Sequence, residues 1–303
     1  MALYAFDGTG KSDAPDLTQD SNVVLFYNAY TGANKDYLTG VGSGQGPGKI
    51  LGLVTGFGGH DRIRNAFVAL SNNFAAGDRD IDIVGFSRGA AEAVDFANEV
   101  AKQTALPGPT PAPIRFLGVW DIVGSFDLPG TLIQNIGFDF KTPPTAQRIV
   151  HCMALDERRV FFPLTRMSGT RANEAGRLIE VWFRGVHSDV GGGDKVPGLS
   201  SIALNFMFRQ AIRAGVPIDP AQVAQNAQRM DPTKPISFDL VHSLAPVEPP
   251  RPLAVGSLVH VSVTQRDPVN LNGVVYHYNN PPASLARIDD NGAVVLAQAG
   301  AGS

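Results

Sequence analysis

Ser87, Asp121 and His187 follow one another along the chain in settings that suit hydrolytic chemistry. Ser87 lies in Gly85-Phe86-Ser87-Arg88-Gly89, a G-x-S-x-G run between the apolar "IDIV" and the alanine-rich "RGAAEAVDFANEVAKQ". Strand, tight turn and helix make that run a nucleophile elbow: small flanking residues permit the turn, and the strain lifts the hydroxyl above the sheet edge at a helix N-terminus. A serine hydroxyl becomes a useful nucleophile only when a base takes its proton and a third group orients the base. Asp121 closes the apolar run "RFLGVWD", and His187 follows "LIEVWFRG" in "GVHSDVGGGD". Each has a structural alternative: a turn serine, a turn-capping aspartate and a satisfied loop histidine. Asp156, Asp189 and His242 are the reserves. His242, in "DLVHSL", is the rival base because it also lies after the strand, whereas Asp189 stands too close to His187 in sequence to reach its Nδ1.

The stretch "LYAFDGTGKSDAP" raises a competing chemistry, since Ala5, Gly10, Lys11 and Ser12 nearly spell a phosphate cradle. Such a cradle must open a helix, and "DAPDLTQDSN" brings a proline, three aspartates and no helical period. The better expectation is an oxyanion loop. After the strand "LYAF" the chain emerges at the same sheet edge as the elbow, where backbone N–H groups stabilise a developing oxyanion together with the N–H of Arg88. Gly8 and Gly10 allow close approach, Asp7 orients the loop, and Thr9 supplies a backbone or hydroxyl donor.

No cofactor is expected. Asp189 and Asp194 in the glycine loop fall short of the six or more oxygens that calcium takes, so no metal is assigned and Asp189 is expected to fix the His187 loop. The single cysteine, Cys152, rules out an intrachain disulfide and a thiolate metal site. With 25 Lys and Arg against 28 Asp and Glu and no basic run, nucleic acid is not an expected partner. No apolar run reaches the roughly 18 residues of a membrane span. The N-terminus lacks a basic start with an apolar stretch behind it, so the expected location is cytoplasmic, or external by a route without a cleaved signal.

Short buried strands must hold these groups. "LYAFDG", "IDIVGFS", "RFLGVWD" and "LIEVWFRG" are rich in Val, Ile and Phe and end in Gly, Asp or Ser. "HDRIRNAFVALSNNFAAG" reads as a helix, and Ala90, Ala93, Val94, Ala97 and Val100 fall on one stripe of another. Alternating strands and helices predict a mostly parallel sheet covered on both faces, as one domain over residues 1–303. Residues 244–303, with "SLVHVSV" and "GVVYHY", are expected to be peripheral strands or loops. Leu128, Leu132, Ile133 and Ile136 fit core packing or a lid beside the nucleophile.

Taken in order, "FDGTG", "GDRDIDIVGFSRGAAEA", "FLGVWDIVGS", "HCMALDERRVFFP" and "VWFRGVHSDVGGG" resemble the α/β-hydrolase domain of bacterial type VI secretion phospholipase effectors of the GFSRGA type and their relatives. The likeness runs from about residue 4 to 195. It implies an α/β-hydrolase fold, a triad on Ser87, Asp121 and His187, phospholipid or another ester as substrate, and an immunity or secretion protein as partner. A small-ester esterase, or a binding module without catalysis, is the alternative. The chain departs from the resemblance at Lys11, where such domains usually carry Asn.

Overall fold

The structure is a computed structural model that describes residues 1–8, 20–40, 59–103, 106, 111–124, 137–168, 176–193, 196–237, 249–264, 279, 281–282 and 284–295. Thr9, Gly10, Lys11, Asp194, His242, the segment with Leu128 to Ile136 and "GVVYHY" lie outside the described residues.

The apolar runs form strands because short Val-, Ile- and Phe-rich segments bury both their faces between helices. The first four in chain order are β1 (Ala2–Phe6), β2 (Asn34–Leu38), β3 (Ile81–Phe86) and β4 (Ile114–Trp120). Then come β5 (Ala146–Ala154), β6 (Leu178–Phe183), β7 (Leu258–His260), β8 (Arg287–Ile288) and β9 (Val294–Val295). Among the described residues they make one nine-stranded sheet in the order β2-β1-β3-β4-β5-β6-β7-β8-β9, parallel except for the last pair. The fold is the expected mostly parallel α/β sheet.

Among the described residues the α-helices are α1 (Asn22–Ala29), α2 (Gly59–Ala75), α3 (Ser87–Lys102), α4 (His187–Gly191), α5 (Gly198–Arg213) and α6 (Pro220–Ala227). Side chains of β1 alternate between two cores. Leu3 and Ala5 pack with α1 and α5, while Ala2, Tyr4 and Phe6 pack with α2 and α3. A third, smaller cluster of Met153, Leu155, Trp182 and Val259 joins β5 and β6 to β7.

From β1 the chain passes to β2 on one side, and from β3 to β4 on the other. The order therefore reverses between β1 and β3, and the crevice beyond their C-terminal ends is where open α/β sheets bind ligands. Gly8 and Ser87 stand at those two ends.

Several elements differ from the sequence reading. β5 emerges where only a buried "HCMAL" stretch is evident, because Gln147 and Arg148 break its apolar pattern. β2 is a half-buried polar edge strand, "NKDYL", with no apolar period. The "HSDVG" segment, expected as a loop, is the one-turn helix α4. "SLVHVSV" gives β7 followed by a 3-10 turn, Val261–Thr264.

Candidate active site

Ser87 opens α3 directly after β3. Its φ is +60°, and the only other described non-glycine residue with positive φ is Asp121, at +40°. A left-handed conformation costs a side-chain-bearing residue energy and persists only where surrounding structure enforces it. Gly89 shows what does so: a Cβ there would lie 2.4 Å from the carbonyl oxygens of Phe6 and Asp7. The helix start is thus pressed onto the end of β1. The carbonyl of Ser87 also accepts the Val123 N–H at 3.2 Å, which ties the elbow to the turn after Asp121.

The structure brings Ser87, His187 and Asp121 together. Ser87 Oγ lies 2.8 Å from His187 Nε2, and His187 Nδ1 lies 2.7 Å from Asp121 Oδ2. A carboxylate beside Nδ1 makes that nitrogen the donor and leaves Nε2 to accept a proton. All three residues are buried, Asp121 completely. Phe86 and Phe162 flank the imidazole, each with its ring centroid 4.6 Å away. The His187 N–H donates to Glu157 Oε2 at 3.0 Å, so both ring and backbone of this residue are held.

Charge decides the protonation states. Burial alone would lift Asp121, yet Arg251 and His187 hold its carboxyl far below the usual carboxylate range. Burial holds the His187 imidazole below its ordinary value, although Asp121 and Glu157 pull it upward. The result is an ionised carboxylate beside a neutral base, which is the state a general base needs.

The expected helpers fall in several places. Asp7 is buried and accepts from the Gly8 N–H at 2.7 Å, Ser21 Oγ at 2.8 Å and Tyr37 Oη at 2.6 Å. It therefore joins the end of β1 to the cap of α1 and to β2. The Gly8 N–H is spent on that carboxylate, so Gly8 serves by its lack of a side chain: a Cβ there would stand 3.3 Å from Ser87 Cβ. Arg88 is the second residue of α3, adjoining Ser87. Asp189 accepts from the Val186 N–H at 3.0 Å and from Ser237 Oγ at 2.6 Å, which pins the His187 turn to the chain near residue 237. Asp156 pairs with Arg184 at 2.7 Å and accepts from the Gly185 N–H at 2.7 Å. His151 meets Glu180 at 3.2 Å, and His260 stacks on Phe183. Among the described residues, no cluster of three or more His, Cys, Asp or Glu could hold a metal ion.

Four residues that sequence reasoning missed complete the site. Arg251 forks onto Asp121, with Nη1 2.7 Å from Oδ1 and Nη2 3.2 Å from Oδ2, and donates to the carbonyls of Ala154 and Phe162 at 2.7 and 2.8 Å. Asn279 Nδ2 donates to the Arg251 carbonyl at 2.8 Å. Glu157 and Phe162 follow β5 and contact His187. A charge cluster directly after a buried strand, "LDERR", was the available signal for Glu157; the lone arginine of "EPPRPL" offered none.

A doubly wound parallel sheet with a serine at a strand–helix elbow, an imidazole against its hydroxyl and a carboxylate behind defines the α/β-hydrolase class. The family model of the type VI secretion phospholipase effector Tle1-like catalytic domain matches residues 3–109 and 97–210. The chain belongs to that family. No curated protein matches it. Among solved structures, an uncharacterized protein from Pseudomonas aeruginosa is similar at 22% identity and a TM-score of 0.56, over 75% of this chain and 50% of that one. The chain thus spans half the length of that structure. The Tle1 effector bound to the VgrG spike of the type VI secretion system is similar at 16% identity and a TM-score of 0.53, over 79% of this chain and 81% of that one. At these identities the likeness is one of fold. Among the described residues no helix is long and apolar enough to cross a membrane.

Proposed function

We propose that the chain is a serine ester hydrolase that cleaves acyl esters of phospholipids. Ser87 attacks the acyl carbonyl, His187 Nε2 takes its proton and returns it to the departing alcohol, and Asp121 holds the imidazole tautomer and stabilises the imidazolium. Water then releases the acyl group by the same steps in reverse order of partners. The N–H of Arg88 receives the oxyanion together with a donor from Thr9, and Gly8 leaves room for the approach. The observation that carries this reading is the unbroken contact from Ser87 Oγ through His187 to Asp121, at 2.8 and 2.7 Å, on two strained backbone positions.

Phospholipid is chosen over small esters on family membership. The same membership supports export by a type VI apparatus, with a spike protein as the class of partner. Nitrophenyl esters of rising acyl length, followed by phospholipid vesicles labelled at defined acyl positions, test the substrate. Free fatty acid released from vesicles is the expected result. Turnover of acetyl esters with none on long-chain esters or vesicles would replace the reading with a small-ester esterase.

A further inference from the structure

Glu92 takes no part in the chemistry above, and its setting is costly. Its carboxylate is wholly buried on α3, five residues beyond Ser87; burial carries its pKa up to about 7, while the Arg62 and Arg88 guanidiniums oppose that rise. Arg62, on α2, meets Glu92 Oε2 through Nη1 at 2.7 Å. Its Nη2 donates to the carbonyls of Asp7 at 3.2 Å and Leu38 at 2.7 Å. Those carbonyls stand just past β1 and at the end of β2. One guanidinium therefore links the nucleophile helix to the exits of two strands, where the chain leaves Asp7 for Gly8. A buried ion pair is weak evidence for stability, because desolvation rivals the attraction. Rigid spacing between two halves of a site accounts for it better.

We propose that Arg62 and Glu92 are positioning residues: their ion pair fixes the exit of β1, at the Asp7 carbonyl, against α3, and so sets where Ser87, at the start of α3, stands relative to Gly8. The proposal rests on Ser87 being the nucleophile. Neither side chain touches the reacting atoms. The spacing they set governs the line of attack of the Ser87 hydroxyl, which matters in the transition state and little to the bound ester, so their loss lowers kcat and spares KM.

The test compares Arg62→Met, Arg62→Lys, Glu92→Gln and Ser87→Ala in the full chain on one soluble nitrophenyl ester, with Arg64→Met, an exposed position on α2, as control. Arg62→Met and Glu92→Gln are expected to lower kcat by something on the order of 10- to 100-fold, the scale of a displacement near 1 Å, with KM within about two-fold. Affinity for an alkyl boronic acid, which adopts the tetrahedral geometry, falls in parallel. Arg62→Lys, which keeps the charge and a donor, restores part of the loss. Arg62→Met or Glu92→Gln with wild-type kcat, or a fall in kcat without a fall in boronate affinity, overturns the proposal while an inactive Ser87→Ala leaves the nucleophile standing. An active Ser87→Ala overturns both. If Arg62→Met does not fold, Glu92→Gln and Arg62→Lys decide.

Discussion

Replacing Arg251 by Met tests whether the charge of the site is held from outside the three reacting residues. The guanidinium makes two contacts to Asp121 and two to backbone carbonyls, all in a buried setting. Removing one partner of a buried ion pair costs about 3–5 kcal/mol, because the remaining charge stays buried. For a chain of this size that corresponds to a melting temperature lower by roughly 10 °C. The functional effect has a definite sign. Loss of the guanidinium lets Asp121 bind its proton more tightly, and a protonated Asp121 no longer stabilises the imidazolium, so the acid limb of the pH–rate profile moves upward. Turnover of a soluble ester from pH 4 to 9, beside thermal unfolding by circular dichroism, reads both effects. Activity lost on the acid side should return in large part as the pH is raised. An acid limb and a melting temperature both at wild-type values would refute the charge argument.

Ser87→Ala is expected to lower turnover by on the order of 10⁴-fold or more with an unchanged melting temperature, and a fluorophosphonate should add one adduct to the wild type and none to the variant. His187→Ala should be as damaging, and Asp121→Asn should lose most activity through the wrong tautomer. With His187 held below its ordinary value, wild-type activity should rise through an apparent pKa under about 6.5. Since the unfolded chain binds that proton more readily than the folded one, stability should fall as pH drops below about 6.5, as urea titrations at pH 7 and 5.5 would show. Gly89→Ala should cost about 3 kcal/mol or more in urea unfolding, because its Cβ meets two carbonyl oxygens that belong to the sheet.

Much of this architecture was legible because buried parallel strands write themselves as short apolar runs. "IDIVGFS" and "RFLGVWD" also place Ser87 and Asp121 at strand ends, so the positions that meet in space were readable from where each run stopped. Elements stabilised by context were not. β2 is polar because it is an edge strand, and β5 carries Gln147 and Arg148 near its start because Gln147 is exposed and Arg148 half-buried while the residues from Ile149 on are covered. Arg251 was invisible for a deeper reason: it comes from a proline-rich segment without period, 130 residues from Asp121, and only the folded chain makes it a neighbour.

That separation bears on when the site is completed during synthesis of the chain. Ser87, Asp121 and His187 all leave the ribosome before the segment that answers the carboxylate's charge. Contacts between residues far apart in sequence carry a large loop-closure cost and form late. A nascent chain that ends before "EPPRPL" therefore lacks the guanidinium that favours the ionised Asp121, and the charge balance of the site waits for the segment around Arg251 to dock.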